Sequence, residues 1–300
     1  MKQLTLNISQ DLQPVVKEQL LYLNRAAIAH LERKYRPTEG IHQARLCFKK
    51  ARAILKLVRP GLQPEDFETF NTFYRQCGQS LGHLRDIASR METLQKLSRT
   101  RKTTASDVLI RQLISTLTKA QRESKATGMQ ETQIDDTIHR LSSFEKNIMH
   151  LSVAGTPPGI LAGGIYRLYR QGRRRREQLS LIPDDSEFHQ LRKNVKYLGY
   201  AFEALQNLYP ALMKSQMNEW VKLGRDLGNH HDLVILLELL NDRPPGQSRS
   251  NLRRSILRRK KRLENKILTD AALAFLWKPS QFALRVKALA KNKLSGDFSA

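Results

Sequence analysis

IHQARLCFKKARAILKLVRP, residues 41–60, decides how the rest of the chain is read. At about 100° per residue on an α-helix, His42, Arg45, Lys49, Arg52 and Lys56 fall within roughly 80° of circumference. Ile41, Ala44, Phe48, Ala51, Leu55 and Val58 fill the adjoining arc. One arc is built to pack and its neighbour to collect anions. An ordinary solvated helix intersperses carboxylates for i,i+4 pairing, yet no Asp or Glu occurs between residues 42 and 56. The stretch ends at Arg59-Pro60-Gly61, a helix stop.

The same pattern returns later in the chain. FHQLRKNVKYLGYAFEAL, from Phe188, aligns with IHQARLCFKKARAILKLV, from Ile41, and sets His189 on His42, Arg192 on Arg45 and Lys196 on Lys49. The apolar stripe transfers as Phe188, Leu191, Val195, Leu198, Phe202 and Leu205. Downstream, LGNHHDLVILLELL from Leu227 aligns with LGHLRDIASRMETL from Leu81, placing Gly228 on Gly82 and Asp232 on Asp86. Two matched blocks in one order predict an internal duplication. The loop Gly155-Thr156-Pro157-Pro158-Gly159 marks the boundary, giving a first repeat over 1–155 and a second over 156–300.

Most other segments carry the 3.6-residue period and strand alternation is scarce, so the expected class is all-α. Helices are predicted over 11–35, from Pro64 to about Met91, and over 105–124 and 131–152, the third of these with Val108, Leu113 and Leu117 in its apolar stripe. In the second half they are predicted over 159–180, 251–267 and 280–293, besides the two repeated blocks. The helix over 159–180 aligns Arg167, Arg170 and Arg174 on one face, and that over 251–267 gathers Arg254, Arg258, Lys261 and Arg262 on its polar side.

A chain of 300 residues, 40% of them hydrophobic, is long enough for one large core or two medium ones. Its net charge of +24 opposes compaction unless a polyanion relieves it, which makes a polyanionic partner the first expectation. Cys47 and Cys77 lie in apolar helical patterns without CxxC spacing, as expected of reduced core residues. No apolar leader or membrane-spanning run is present, so a cytoplasmic location and no membrane partner are expected. Aromatic residues are only 7% and mostly at core spacing, so platforms for stacking single-stranded nucleic acid should be few.

His42 and His189 stand near the starts of their helices, where unsatisfied backbone N–H groups also favour anions. With Arg or Lys or Leu at i+3 and i+4, neither has a metal-ligand partner, and hydrogen bonding to phosphate is the expected role. His230-His231-Asp232 looks like a metal-phosphohydrolase pair, but in the first repeat Leu84 and Arg85 stand at the histidine positions. His230 is therefore expected in the core, and Asp86 and Asp232 are expected to orient basic side chains. There is no GxxxxGK[ST], GxSxG, HExxH or Glu-x-Glu motif, so no catalysis, metal or cofactor is expected.

The duplicated His-x-x-Arg-x-x-x-Lys helices (His42, Arg45, Lys49; His189, Arg192, Lys196), each followed by an LG-x-x-x-D helix (Asp86; Asp232), resemble the conserved histidine α-helical domain, or CHAD, family. The resemblance spans about residues 10 to 295. It implies two pseudo-symmetric helical bundles forming one compact unit around a central basic pore, and binding of inorganic polyphosphate, in some members at polyphosphate granules. The residues expected to grip the polyanion are His42, Arg45, Lys49, Arg52, Lys56, Arg167, Arg170, Arg174, His189, Arg192, Lys193, Lys196, Arg254, Arg258 and Arg262. The family's second helix usually reads K-R-L-R-Y, whereas here Lys196-Tyr197-Leu198-Gly199-Tyr200 loses two cations, which implies a weaker second half. A nucleic-acid-binding helical protein and a polyphosphate-processing enzyme are the rival readings, and weaker binding of nucleic acid beside polyphosphate is a further expectation.

Overall fold

The computed structural model describes residues 4–33, 37–82, 87, 90–95, 104–126, 129–242 and 244–296. Among them every element is helical. In chain order these are α1 (Leu12–Leu31), α2 (Pro37–Val58) with a 3-10 turn at Arg59–Gly61, α3 (Pro64–Ser80), α4 (Thr104–Ala126) and α5 (Met129–His150). The second half continues with α6 (Pro157–Leu181), α7 (Asp185–Ala204), α8 (Pro210–Asn241), α9 (Gln247–Ala274) and α10 (Pro279–Ser295). The class is all-α, and no described helix is long and apolar enough to cross a membrane.

Local chemistry sets where these helices begin. Proline opens α3, α6, α8 and α10, where its missing N–H costs nothing. Asp11 and Asp184 each accept a backbone N–H at 2.8 Å, from Gln13 and Glu187, and so cap α1 and α7. Several starts differ from the periodicity reading. The Gly155–Gly159 break is shorter than expected because Pro157 already sits in α6, and α9 begins at Gln247 and runs on to Ala274. Val108 points outward at 49% exposure, while Leu113 and Leu117 are buried.

α2 likewise starts at Pro37, with Gly40 inside it rather than in a separating loop. A Cβ on Gly40 would stand 2.2 Å from the carbonyl oxygen of His30, so this glycine is where α2 crosses the end of α1 backbone to backbone. His42 is consequently past the first turn, and the expected help from free N–H groups at a helix start does not apply to it.

The apolar arcs pack as their period implies. Ile41, Ala44, Phe48, Ala51, Leu55 and Val58 of α2 are buried, as are Phe188, Leu191, Val195, Leu198 and Phe202 of α7. These belong to one continuous core that also takes in Leu20, Leu141, Leu161 and Trp220, so residues from both sides of the 155/156 boundary share it. A smaller cluster joins Leu113 and Leu117 of α4 to Leu233 and Leu236 of α8 and Leu252 and Ile256 of α9. Cys47 and Cys77 are buried free thiols, held at about 11 by burial.

α1 lies on α2 and α5, α3 on α2, α6 on α7 and α10, and α8 on α7. α2 also packs on α6 and α7. The α2–α6 crossing is unusually close, because a Cβ on Gly164 would fall 1.7 Å from the carbonyl oxygen of Leu57 and one on Gly163 2.9 Å from Pro60 Cγ. Two adjacent glycines thus let the end of α2 approach the middle of α6, and this contact builds the site.

Candidate anion-binding site

Where α2 meets α6, Lys56, Arg59, Arg167, Arg170 and Arg174 line one pocket of ≈ 290 Å³ together with Leu168 and Gln171. Four of these cations were expected from their helical stripes. Arg59 was read only as part of a stop signal, although the spacing 45, 49, 52, 56 continues to 59 in alternating steps of four and three. The 3-10 turn at Arg59–Gly61 keeps it on the stripe.

The pocket is left positive. Among the described residues Arg167, Arg170 and Arg174 have no carboxylate within ion-pair distance. Arg59 reaches Glu68 only at 3.9 Å between exposed side chains, a contact that contributes little in water. Burial, followed by the charges of Arg52 and Arg59, lowers Lys56 to about 8, with Glu68 opposing. Aromatic faces stand where counter-charges would be expected: Arg59 lies 4.2 Å from the Phe67 ring centre, and Lys56 and Arg52 lie 5.0 and 5.6 Å from that of Tyr197. A ring face attracts a cation while leaving its charge available to a ligand. These aromatics support the cations from beneath, a role that spacing alone did not reveal.

Further back along α2 the stripe is braced by the protein. Arg52 donates from Nε to Asn71 Oδ1 at 3.0 Å, and Arg45 donates from Nη1 to the Gly78 carbonyl at 2.6 Å. A Cβ on Gly82 would sit 3.1 Å from Arg45 Nη1, so the glycine leaves room for the guanidinium to lie across α3. His42 and Lys49 are exposed. Asp86, expected to hold a basic side chain in place, lies outside the described residues.

Part of this arrangement recurs on α7, up to Lys196. Arg192 crosses at Gly228, whose added Cβ would be 3.8 Å from Arg192 Nε, matching Arg45 at Gly82. His189 and His231 face each other with ring centres 4.7 Å apart. Burial, then Lys193 and Arg192, lowers His189; burial, then Arg192 and His189, lowers His231 to about 4. Arg192 is lowered by burial against the opposing charge of Asp232, and Lys196 by burial and then Arg192. Asp232 therefore acts on Arg192 as a supporting charge. Among the described residues His189 Nδ1 and Arg192 Nε are buried without hydrogen-bond partners, and Lys193 is exposed.

Beyond Lys196 α7 differs from α2. The position of Arg52 is taken by Gly199, buried against Trp220. That of Lys56 is taken by Glu203, which binds Lys50 at 2.6 Å.

Arg254, Arg258 and Arg262 are exposed on α9, and among the described residues they line no part of the Lys56 pocket. The same helix carries a different charge cluster. Lys260 Nζ sits 2.7 Å from Asp185 and 2.8 Å from Glu264, with His230 Nε2 3.3 Å from Glu264. His230 is buried as expected and stacks on Phe188 with ring centres 4.2 Å apart. Asp185, His230 and Glu264 have the donor set to hold a metal ion, and the Lys260 ammonium supplies the positive charge among them.

A family model described as CHAD domain matches residues 19–241. The fold is similar to the crystal structure of the CHAD domain from the plant Ricinus communis, at 16% identity and TM-score 0.51, covering 96% of this chain and 94% of that one. It is also similar to PptA from Streptomyces chartreusis, at 12% identity and TM-score 0.56, covering 91% of this chain and 99% of that one. No curated relative matches the sequence.

Proposed function

Since the chain belongs to the CHAD domain family, we propose that it binds inorganic polyphosphate, without catalysis, along a channel lined by the cations of the two repeats. One observation carries this reading: Lys56, Arg59, Arg167, Arg170 and Arg174 share a pocket in which three guanidiniums have no carboxylate partner among the described residues. Gathering such charge is unfavourable unless an anion is bound, and Arg is the side chain best shaped to grip phosphate in pairs of hydrogen bonds. Each charge-assisted contact contributes about 1.5–3 kcal/mol, so tight binding comes from several acting together. His42, Lys49, Arg192, Lys193 and Lys196 extend the path along α2 and α7, and the α9 arginines serve an outer part of it. The repeats 1–155 and 156–300 act as one binding unit, in the cytoplasm and at polyphosphate granules.

The test is a competition titration of long-chain polyphosphate against duplex DNA and RNA at matched phosphate concentration and near-physiological salt. Polyphosphate should bind tighter than either nucleic acid, and its affinity should fall steeply with added salt through counterion release. Equal affinity for all three ligands would overturn the reading. Shortening of the polyphosphate in the presence of divalent metal would replace binding with processing.

A further inference from the structure

The pocket that gathers anions also contains a primary amine. Lys56 is half-buried, held against Tyr197 at 5.0 Å and Phe67 at 5.8 Å, and among the described residues no carboxylate lies within ion-pair distance of it. Arg59, Arg167, Arg170 and Arg174 share the cavity with it. Its volume of ≈ 290 Å³ is enough for a small acyl phosphate.

Building on the reading of this pocket as an anion site, we propose that Lys56 is a site of covalent acylation by acyl phosphates. The α6 arginines bind the phosphate half of the donor and leave its carbonyl carbon facing Nζ. The neutral amine's lone pair attacks that carbon, and the bond from carbon to the phosphate oxygen breaks. Inorganic phosphate leaves with the electron pair, and the nitrogen releases one proton to solvent, giving an amide with no change in oxidation state.

The amine's surroundings favour this step. Held at about 8 by burial and by Arg52 and Arg59, Lys56 is roughly half neutral at pH 8, against roughly 0.3% for a lysine at its ordinary value. Acylation removes the one pocket cation that is chemically modifiable in this way, so it lowers the affinity of the pocket for polyanions.

Incubating the full chain with acetyl phosphate at pH 8 and following each lysine by peptide mass spectrometry tests the idea. Lys56 should acetylate about tenfold or more faster than the exposed Lys119 and Lys261, whose side chains are 81% and 72% accessible. Excess inorganic phosphate, or the combined Arg167→Gln, Arg170→Gln and Arg174→Gln changes, should remove most of that lead and leave Lys119 unaffected. With an uncharged acetyl ester the lead should be smaller, because no phosphate is captured. A Lys56 rate no higher than that of Lys119 would overturn the inference. Polyphosphate titration of the unmodified chain keeps the two ideas apart. Affinity without a Lys56 lead rejects acylation alone, and a lead without polyphosphate affinity rejects the polyphosphate reading alone.

Discussion

Lys50 of α2 and Glu203 of α7 form an ion pair at 2.6 Å, with 7% and 16% of their side chains exposed, and so tie these two helices together. Glu203 also accepts the Leu4 N–H at 3.2 Å. Lys50→Met leaves Glu203 without its cation and should cost about 3 kcal/mol in urea unfolding. Lys50→Met with Glu203→Leu should cost less than about 1 kcal/mol, because neither charge is then stranded. Equal losses for the single and double changes would contradict the pairing.

Gly164→Ala places a methyl group 1.7 Å from the Leu57 carbonyl oxygen, and backbone cannot swing aside as a side chain does. It should destabilise the chain by about 3 kcal/mol and lower anion affinity as well, since the α2–α6 contact builds the pocket. Gly246→Ala, with nothing among the described residues within 4 Å of the added methyl, should leave the melting temperature within a degree or two of the parent.

Arg170→Gln and Arg174→Gln should each weaken polyphosphate binding roughly tenfold, the loss of about one charge-assisted contact. Arg254→Gln and Arg258→Gln, on exposed positions outside the pocket, should change it less than about threefold. A filter-binding series at one salt concentration separates the two pairs, and the reverse order would place the principal grip on α9.

Acid should unfold the chain partly through His231. Its folded value of about 4 lies below the ordinary 6.5, so the unfolded state takes up its proton first as pH falls. The stability tied to keeping His231 neutral is full above pH 6.5 and is lost progressively down to about pH 4. His189 and His230, also lowered mainly by burial, add to the same slope. His231→Asn should flatten the stability profile between pH 4 and 6.5 in denaturant titrations.

Lys56 acts at the alkaline end. Its folded value of about 8 is below the ordinary 10.5, so the unfolded chain binds more protons between those values and stability should rise as pH climbs from 8 to 10.5. Polyphosphate affinity should move the opposite way, falling as pH passes 8 and Lys56 loses its charge. Lys56→Arg should abolish this fall in isothermal titrations.

Much of the helical frame was legible because periodicity is local. The stripes on α2 and α7 are buried residue for residue, and Arg167, Arg170 and Arg174, which the spacing placed on one helix face, line one pocket. Val108 was misplaced because a position near a helix end satisfies the apolar period whether or not it is covered, and this one is 49% exposed. His42 was misplaced because Pro37 and Gly40 look like punctuation, whereas one opens a helix and the other relieves a crossing.

The chemistry of individual cations was less legible. Lys50 and Lys49 are adjacent in a basic run, but one is buried against Glu203 and the other is exposed. Asp185, His230, Lys260 and Glu264 come from three helices, so no local spacing joins them. Arg59 was hidden by the proline that follows it.

By itself the sequence determined that the chain is helical, which face of each helix packs, and that an excess of cations lies on the opposite faces. Those properties depend on residues three and four apart. Only the tertiary structure decided which cations converge. Lys56 and Arg170 are remote in sequence and meet because Gly164 carries no Cβ to hold α6 away from the Leu57 carbonyl.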